Sequence, residues 1–368
     1  MAIDHASRVR PTPGHAEIQP DATTIRRLKS RFDNAYRILT ERPLSLYAAA
    51  FMRIGCGLLY LVLLVREFPH RHQIWGAESP WTRALALDYI DQTRSGWFTF
   101  LTLSDSRRYF EACYVVALLV AFLFMLGWRT RVTSILFATV MASFYGRNML
   151  VLDGGDNLAL LLAVYLTFTA CGRRWSLDAR RARRRASVHP DDASRPALPE
   201  APGLRTQAGL VRRFAVTVLH NCAMLVIMAQ MCILYGAAGL YKVQGGLWVN
   251  GTALHYVLDS DLFRPWPALS DFVDSHHLMV GLATYLTVLV QIAFPFSVFS
   301  RLKYVVLTIL VGMHLGIAVL LGLPLFSAVM ILGDAVFLPD RFYQSLARRW
   351  RRAGAGERMT AANPAPER

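Results

Sequence analysis

Eight apolar runs limit how this chain can fold. They are Leu44–Val65, Phe110–Gly127, Val132–Tyr145, Leu158–Cys171, Phe214–Gly239, Leu278–Phe299, Tyr304–Leu321 and Leu323–Leu338. A helix needs about 20 residues to cross the apolar layer of a bilayer, so the shorter runs are expected to extend into the flanking polar sequence. The runs predict an all-α, polytopic integral membrane helix bundle with about eight transmembrane helices. The count stays open by one, because only Gly322 and Pro324 divide the last two runs.

The spacing of these runs divides the chain into three regions. Residues 1–43 form a polar N-terminal segment without the pattern of a cleavable secretory signal, and the first run is predicted to act as a signal anchor. Residues 44–340 form the membrane domain, and residues 341–368 form a basic tail. Within the membrane domain, 172–213 is predicted to be a cytoplasmic linker. Its central part, Asp178–Arg205, is expected to be flexible because Arg, Ala, Pro and Ser dominate there.

Basic residues lie mostly on one side of this predicted topology. With the N-terminus placed in the cytoplasm, the cytoplasmic segments carry 30 of the 40 Lys and Arg residues and the opposite segments carry 9. Arg53, inside the first run, is the remaining one. Because basic loops stay on the cytoplasmic side, the distribution predicts a multi-pass protein of the cytoplasmic (inner) membrane with both termini in the cytoplasm.

Composition excludes several other classes. The net charge of +15 occurs in a chain with only 18% charged and 54% hydrophobic residues, whereas average proteins are about 25% charged. Topology and contact with anionic lipids of the inner leaflet account for the charge, so no nucleic acid partner is predicted. The five cysteines show no CxxC or Cys/His spacing, so neither disulfides nor a metal site is predicted.

Polar residues inside or beside the apolar runs are the candidates for chemistry, because a bilayer makes them costly. Arg53 is either a structural or snorkelling residue or part of a site. Nearby Gly55 and Gly57 indicate close helix packing. The string Asp153-Gly154-Gly155-Asp156-Asn157 favours a turn in which Asp156 or Asn157 caps the next helix. Its side chains can also line a pocket or bind a cation, although the string lacks EF-hand spacing.

The segment from Tyr235 to Gly251 carries the strongest signal. Small residues at 236–239 allow another element to approach closely, and Lys242 follows them at the end of the fifth run. Apolar surroundings disfavour the ammonium form of a lysine, so Lys242 can act as a general base. The alternative is an interfacial lysine that lies beside Tyr241 and Trp248 in an aromatic belt.

His314 lies in the middle of the seventh run, between Gly312 and Gly316. A single histidine among leucine and valine residues is typical of a hydrogen-bonded core residue, although a ligand or catalyst is also possible. The run has no second histidine four residues away, which disfavours haem or a metal.

At these residues the chain resembles the horizontally transferred transmembrane (HTTM) domain family. That family includes sporulation-delaying protein B-like proteins and the membrane domain of vitamin K-dependent gamma-carboxylase. The resemblance covers roughly residues 44–340, and the pattern Ala238-Gly239-x-x-Lys242…Trp248-Val249-x-Gly251 is its most specific part. The other marks are Phe51–Gly55, Leu126–Arg131, Asn148–Asn157, Trp175–Asp178 and His314.

The resemblance implies a function. In the carboxylase, the lysine of this pattern is implicated in deprotonating vitamin K hydroquinone, so Lys242 is the expected base and a reduced quinone of the vitamin K or menaquinol type is the expected cofactor. His314 matches a membrane histidine of the family and is the second expected catalytic residue. Arg53, Asp153, Asp156, Asn157, Tyr241 and Trp248 are the expected substrate- or cofactor-binding residues.

The expected activity is that of a carboxylase-like lyase that performs quinol-linked base chemistry at the non-cytoplasmic face. A histidine that the carboxylase carries near the equivalent of Gly154–Asp156 is absent here, so a substrate other than a peptide glutamate is expected. The substrate class stays open between a secreted peptide and a small molecule. Two alternatives remain: a non-catalytic maturation or immunity partner of a secreted peptide, and a transporter, which requires inverted repeats and broken helices.

Overall fold

The computed structural model describes residues 22–93, 98–188 and 204–349, and within these ranges the chain forms helices and no strand. The first eight helices are α1 Ala22–Thr40, α2 Leu46–Arg66, α3 Arg71–Ile74, α4 Arg83–Gln92, α5 Arg107–Leu126, α6 Thr130–Arg147, α7 Gly154–Phe168 and α8 Leu177–Val188. The others are α9 Leu204–Val243, α10 Gly246–Val249, α11 Ala253–Asp259, α12 Pro267–Asp274, α13 His277–Ser297, α14 Lys303–Leu320, α15 Pro324–Asp334 and α16 at 340–349.

The all-helical prediction is confirmed, and each of the eight apolar runs contains a helix. Among the described residues, five helices are long and apolar enough to cross a membrane: α2, α5, α9 from Gln207 onward, α13 and α14. The other three runs correspond to α6, α7 and α15. Of these, α7 and the segment Pro324–Phe337 are apolar but shorter than a typical span. The count of crossings that length and composition support is therefore five, with the predicted eight left open.

Helices occupy both ends of the segment expected to be a flexible linker. The arginine-rich stretch lies in α8, and α9 begins at Leu204 and runs for 40 residues. Residues 178–188 are therefore helical, since arginine and alanine are good helix formers, and the flexibility of the linker stays a prediction. Residues 189–203 of the predicted linker lie outside the described residues, as do 1–21 and 350–368 of the two terminal regions.

The bundle has two ends, which we call the linker end and the lysine end. At the linker end, His220 and Asn221 of α9 bond the backbone of Leu44, just before α2. At the same end, the Tyr343 ring of α16 packs against Trp175, just before α8. At the lysine end lie Lys242, the turn before α7 and the turn before α15. Both flanking regions of the membrane domain therefore meet the bundle at the linker end.

Close helix packing occurs where the glycines predicted it. A Cβ on Gly57 of α2 would lie 2.9 Å from the backbone of Met125 in α5, and one on Gly239 of α9 would lie 3.0 Å from the backbone nitrogen of Ile292 in α13. Helix α2 also packs against α7 and α15, and α13 lies along α9. Small residues let these backbones approach, as is usual for helices in membranes.

An arginine joins three segments at the linker end. Arg53 is fully buried, and its Nη1 donates to the carbonyls of Phe124 (2.8 Å) and Met125 (2.5 Å) at the end of α5. Its Nη2 donates to the Trp175 carbonyl at 2.6 Å. The last carbonyls of a helix lack partners within it and carry a partial negative charge, so a cation stabilises them. A side chain on Gly127 would collide with this guanidinium, since its Cβ would lie 2.6 Å from Nη1.

Asp178 completes this junction from α8. Its Oδ1 accepts from the Arg129 amide at 3.0 Å, and its Oδ2 accepts from the amide and the hydroxyl of Thr130, both at 2.7 Å. Asp178 thus caps the start of α6, which has no side-chain cap of its own. Burial alone would raise the pKa of Asp178, but these hydrogen bonds and Arg181 hold the pKa below its ordinary value.

Candidate functional site

A cavity of about 320 Å³ lies at the lysine end between α9, α13, α14 and α15, with α10 and α11 beside it. We call it the lysine cavity. Most of its lining is apolar, and the polar side chains that reach it are few. The apolar and glycine members are Gly154, Leu234, Ala238, Trp248, Leu254, Val257, Ala283, Met313, Ile317, Leu321, Phe326 and Met330. The polar members are Tyr235, Lys242, Thr284, Thr287, Gln291 and His314.

The helical repeat of α9 places three of these residues on one face. Tyr235, Ala238 and Lys242 are three and four residues apart, which is the spacing of one helix face. Lys242 lies in the last turn of α9, and Tyr235 lies about two turns, or roughly 10 Å, deeper along the axis. The lysine therefore marks the outer end of the cavity and the tyrosine its inner end.

Lys242 is half-buried and has little to hold its charge. Its Nζ lies 3.5 Å from the Ala238 carbonyl and 5.1 Å from the centre of the Trp248 ring. No described carboxylate forms a salt bridge with it. The Trp248 ring is the main group that favours an ammonium ion at this position, whereas the apolar lining disfavours it.

Three buried side chains from three helices meet at the inner end. The Tyr235 hydroxyl lies 3.0 Å from His314 Nε2 and 2.9 Å from Asp334 Oδ2. The three belong to α9, α14 and α15, and each is at most 3% exposed. Tyr235 thus stands in the middle of a hydrogen-bonded chain, which we call the polar triad.

Two proton arrangements satisfy the polar triad. In one, His314 Nε2–H donates to Tyr235 and the hydroxyl donates to Asp334. In the other, a protonated Asp334 donates to Tyr235 and the hydroxyl donates to His314 Nε2. The first leaves His314 Nδ1 with a lone pair when the ring is neutral, and the second places a proton on Nδ1. The second arrangement holds one proton more than the first. A proton that reaches Nδ1 in the first arrangement can therefore be relayed from Nε2 through Tyr235 to Asp334, and the reverse relay releases a proton at Nδ1.

The polar groups around the lysine cavity have unused hydrogen-bonding capacity. Among the buried atoms without a partner in the described part of the chain, three belong to the lysine cavity or the polar triad: His314 Nδ1, Gln291 Oε1 and Asp334 Oδ1. His314 and Gln291 both line the cavity. Buried polar atoms in folded proteins are nearly always paired, so unpaired atoms on residues that line a cavity make these residues candidates to bond a ligand or water.

The aspartates of the turn before α7 lie beside a different cavity. Asp153 caps α7, with its Oδ1 accepting from the amides of Gly155 (2.6 Å) and Asp156 (3.0 Å), and Asp156 bonds the Asp153 amide in return. Both line a neighbouring cavity of about 170 Å³ that Arg66 also lines. Asn157 is exposed and lines neither cavity. The prediction of a capped turn is confirmed, but the N-cap residue is Asp153 and not Asp156 or Asn157. The structure also does not bring these three residues into one pocket with Lys242.

Two further expected site residues lie away from the lysine cavity. Tyr241 is 79% exposed, because it lies with Leu240 on the outer side of α9, whereas Lys242 lies on the face toward the cavity. Arg53 lies at the linker end and uses its guanidinium on backbone carbonyls. The structure therefore does not bring Arg53 and Tyr241 to the cavity of Lys242. Of the residues expected from the sequence, Lys242, His314 and Trp248 do line one cavity.

Three residues of the site were not expected from the sequence: Tyr235, Gln291 and Asp334. Signals for two of them were present: Asp334 is a carboxylate in an apolar run, and Tyr235 precedes Lys242 by two helical turns. Gln291 has no such signal, because a single amide in an apolar helix is common. Among the described residues, no three His, Cys, Asp or Glu side chains cluster in a way that would hold a metal ion.

The chain is similar to the uncharacterized protein YitO of Bacillus subtilis (strain 168). The two are 28% identical over 225 residues, which cover 58% of this chain and 62% of that protein. The chain therefore matches less than two thirds of its relative's length. No protein-family model matches the chain, and no solved structure matches it either.

Proposed function

We propose that this protein is a membrane-embedded, vitamin K-dependent gamma-carboxylase-like enzyme, in which Lys242 acts as a base toward a hydroxyl of a reduced quinone in the lysine cavity. One observation carries the proposal: a single amine without a described counter-ion closes an apolar cavity whose other end holds the polar triad. The reaction class, a carbon–carbon lyase, and the quinone type both rest on the resemblance of the Ala238–Gly251 segment to the HTTM family.

The lysine cavity fits the ring of a quinol in size and polarity. Its volume of about 320 Å³ lies at the lower end of the range of ligand pockets, about 300–1,000 Å³. A flat apolar ring with hydroxyls on opposite edges would meet apolar walls and polar groups at both ends. Lys242 would bond the hydroxyl at one edge, and the unpaired atoms of His314 and Gln291 would bond the hydroxyl at the other. When bound, the quinol would supply the acidic hydroxyl and the reducing electrons.

The chain's own residues have distinct tasks in this proposal. A neutral Lys242 amine takes the proton of the hydroxyl, and the Trp248 ring, 5.1 Å from Nζ, stabilises the ammonium that forms. His314 bonds the far edge of the ligand through Nδ1. The polar triad can take up or return a proton there, because Tyr235 bonds both His314 and Asp334. The apolar walls keep water from the amine.

The site is proposed to lie at the non-cytoplasmic side of the cytoplasmic membrane. The linker end carries the arginine-rich helix α8 and, by the positive-inside rule, would face the cytoplasm. The lysine end would then face the opposite side, where a secreted peptide or a small molecule can reach it. That peptide or small molecule would be the second substrate, and it would react after Lys242 has removed the proton of the quinol hydroxyl.

A direct test uses the ionisation of a bound hydroquinone. Purified protein is mixed without oxygen with a water-soluble naphthohydroquinone near pH 7.5, and the near-ultraviolet absorbance change that accompanies loss of the hydroxyl proton is recorded. Wild-type protein is expected to produce the change. Lys242→Ala and Lys242→Arg are both expected to lose it, because neither supplies a neutral amine. Lys303→Ala, which changes a lysine at the linker end, is the matched control and is expected to resemble wild type.

The outcomes separate base chemistry from binding. Binding of the hydroquinone with no absorbance change in wild type would contradict the role of Lys242 as a base and would favour a non-catalytic membrane partner. A wild-type absorbance change in Lys242→Ala would also contradict the role of Lys242 as a base. Loss of signal in Lys303→Ala would mean that the lysine variants report only on stability.

A further inference from the structure

A strongly basic feature of the described residues lies at the linker end and is independent of the proposed function. A cavity of about 480 Å³ opens there between α6, α8 and α9. We call it the arginine groove, because six of its lining residues are arginines. They are Arg131, Arg173, Arg174, Arg183, Arg212 and Arg213.

Charge in the arginine groove is poorly balanced. Asp178 is the one acidic residue among the described residues that line it, and its oxygens already accept hydrogen bonds from Arg129 and Thr130. The Asp178 carboxylate also faces Arg181, 3.7 Å away and outside the groove. Within the described part of the chain, no salt bridge joins a groove arginine to a carboxylate. Burial and the charges of its four arginine neighbours hold the pKa of Arg173 below its usual value.

Polar and apolar surfaces meet at this groove. Thr130 and Ser134 of α6 line it with hydroxyl groups. On the same two helices, and close in sequence to groove residues, Ile135 and Leu136 are exposed on α6, and Phe214 and Leu219 are exposed on α9. In a bundle that crosses a membrane, this places the arginines at the level of lipid headgroups and the apolar side chains at the level of acyl chains.

We infer that the arginine groove binds the phosphate headgroup of an anionic phospholipid, with the acyl chains along the exposed apolar faces of α6 and α9. Arginine forks recognise phosphate oxygens in pairs, and six of them around one cavity suit a headgroup with more than one phosphate. A free phosphate would use the arginines but not the apolar faces.

The test compares two double variants that remove the same charge. Arg212→Gln/Arg213→Gln removes two groove arginines, both exposed on α9. Arg180→Gln/Arg184→Gln removes two exposed arginines of α8 that do not line the groove. Native mass spectrometry of the full-length protein in detergent then measures retention of cardiolipin, phosphatidylglycerol and phosphatidylcholine. The groove pair is expected to weaken cardiolipin binding roughly thirtyfold, since each arginine near a lipid phosphate contributes about one kcal/mol.

Each outcome decides the inference. The α8 pair is expected to bind cardiolipin within about twofold of wild type. Equal weakening by both pairs would show that the total charge matters and would overturn the site. Retention of phosphatidylcholine as strongly as cardiolipin would overturn the role of phosphate charge. Displacement of the lipid by millimolar inorganic phosphate would overturn the assignment to a lipid. Failure of the hydroquinone test leaves this result unaffected, because the two sites lie at opposite ends.

Discussion

Two buried polar clusters, one at each end of the bundle, differ in how completely their atoms are paired. At the linker end, Arg53 gives three hydrogen bonds to backbone carbonyls, and only its Nε lacks a partner among the described residues. At the lysine end, the polar triad shares two hydrogen bonds among three side chains. There, His314, Asp334 and the nearby Gln291 each keep an atom that is unpaired within the described part of the chain.

The difference favours a structural role for the cluster around Arg53 and agrees with the binding role that we propose for the lysine end. Around Arg53 the partners are main-chain carbonyls, which cannot move away without unwinding a helix end, and Arg53 lines neither the lysine cavity nor the arginine groove. Around His314 the partners are side chains from three helices, and a cavity adjoins them. A cluster in which nearly every polar atom is paired favours a role in the fold. A cluster with several unpaired atoms beside a cavity is the better candidate for a ligand site.

The largest effect is expected at Arg53. Arg53→Leu removes three hydrogen bonds and leaves the carbonyls of Phe124, Met125 and Trp175 buried without this donor. A loss of about 3–5 kcal/mol in the free energy of unfolding is expected, because buried carbonyls lose a charged donor and each such loss costs about 1–3 kcal/mol. Thermal unfolding in detergent measures it. Arg53→Lys, which keeps the charge with fewer donors, should lose less; an unchanged unfolding temperature for Arg53→Leu would contradict the structural role.

A smaller loss is expected at the centre of the polar triad. Tyr235→Phe keeps the ring, which packs against Phe294 with 4.9 Å between ring centres, but removes the hydroxyl that joins His314 to Asp334. A destabilisation of about 1–3 kcal/mol follows from leaving buried groups without a partner. Hydroquinone affinity, measured in the folded protein, is expected to fall as well. Reduced stability with unchanged affinity would place the triad with the structural cluster.

Helix positions were predictable because they depend on the order of apolar residues along the chain. The hydrogen-bond partners within each buried cluster were not predictable, because they depend on which helices become neighbours. Arg53 illustrates this: its position inside an apolar run marked it as unusual, but its partners lie 71 to 122 residues away. The sequence therefore identified a costly residue without showing that carbonyl groups satisfy it.

The candidate site was predictable in part for the same reason. Lys242 and Trp248 are close in sequence, and one short segment brings both to the lysine cavity. His314 joins them only because α14 packs beside α13, and Asp334 only because α15 follows α14 back into the bundle. Asp153 and Asp156 fell in a neighbouring cavity because their side chains cap the helix that they begin.

Asp178 offers a third test, on the paired cluster. Asp178→Asn weakens the cap of α6 by removing the charge and one acceptor, with an expected cost of about 1 kcal/mol at pH 7. Since the pKa of Asp178 in the folded protein is below its ordinary value, the carboxylate contributes stability above an ordinary pKa of about 3.9. That contribution is lost as the pH falls through the folded pKa.

Denaturation curves at several pH values check this expectation. The difference in stability between wild type and Asp178→Asn should be present at pH 7 and shrink below about pH 4. Asp259→Asn is the control, because Asp259 is exposed and faces Arg264 at 3.7 Å. A constant difference across the whole pH range would show that Asp178 acts through its shape and not through its charge.

The smallest effect on stability, and the one with the opposite sign, is expected at Gln291. Its Oε1 is buried without a partner in the described part of the chain, so Gln291→Leu removes an unpaired polar atom and is expected to leave stability unchanged or to raise it by up to about 1 kcal/mol. Hydroquinone binding should nevertheless weaken about tenfold, the cost of one lost hydrogen bond. Thr308→Val, on α14 and exposed, serves as a control for a polar-to-apolar change elsewhere. A destabilised Gln291→Leu protein with normal hydroquinone binding would mean that this amide is paired in the folded state. The difference in pairing between the two clusters would then be contradicted.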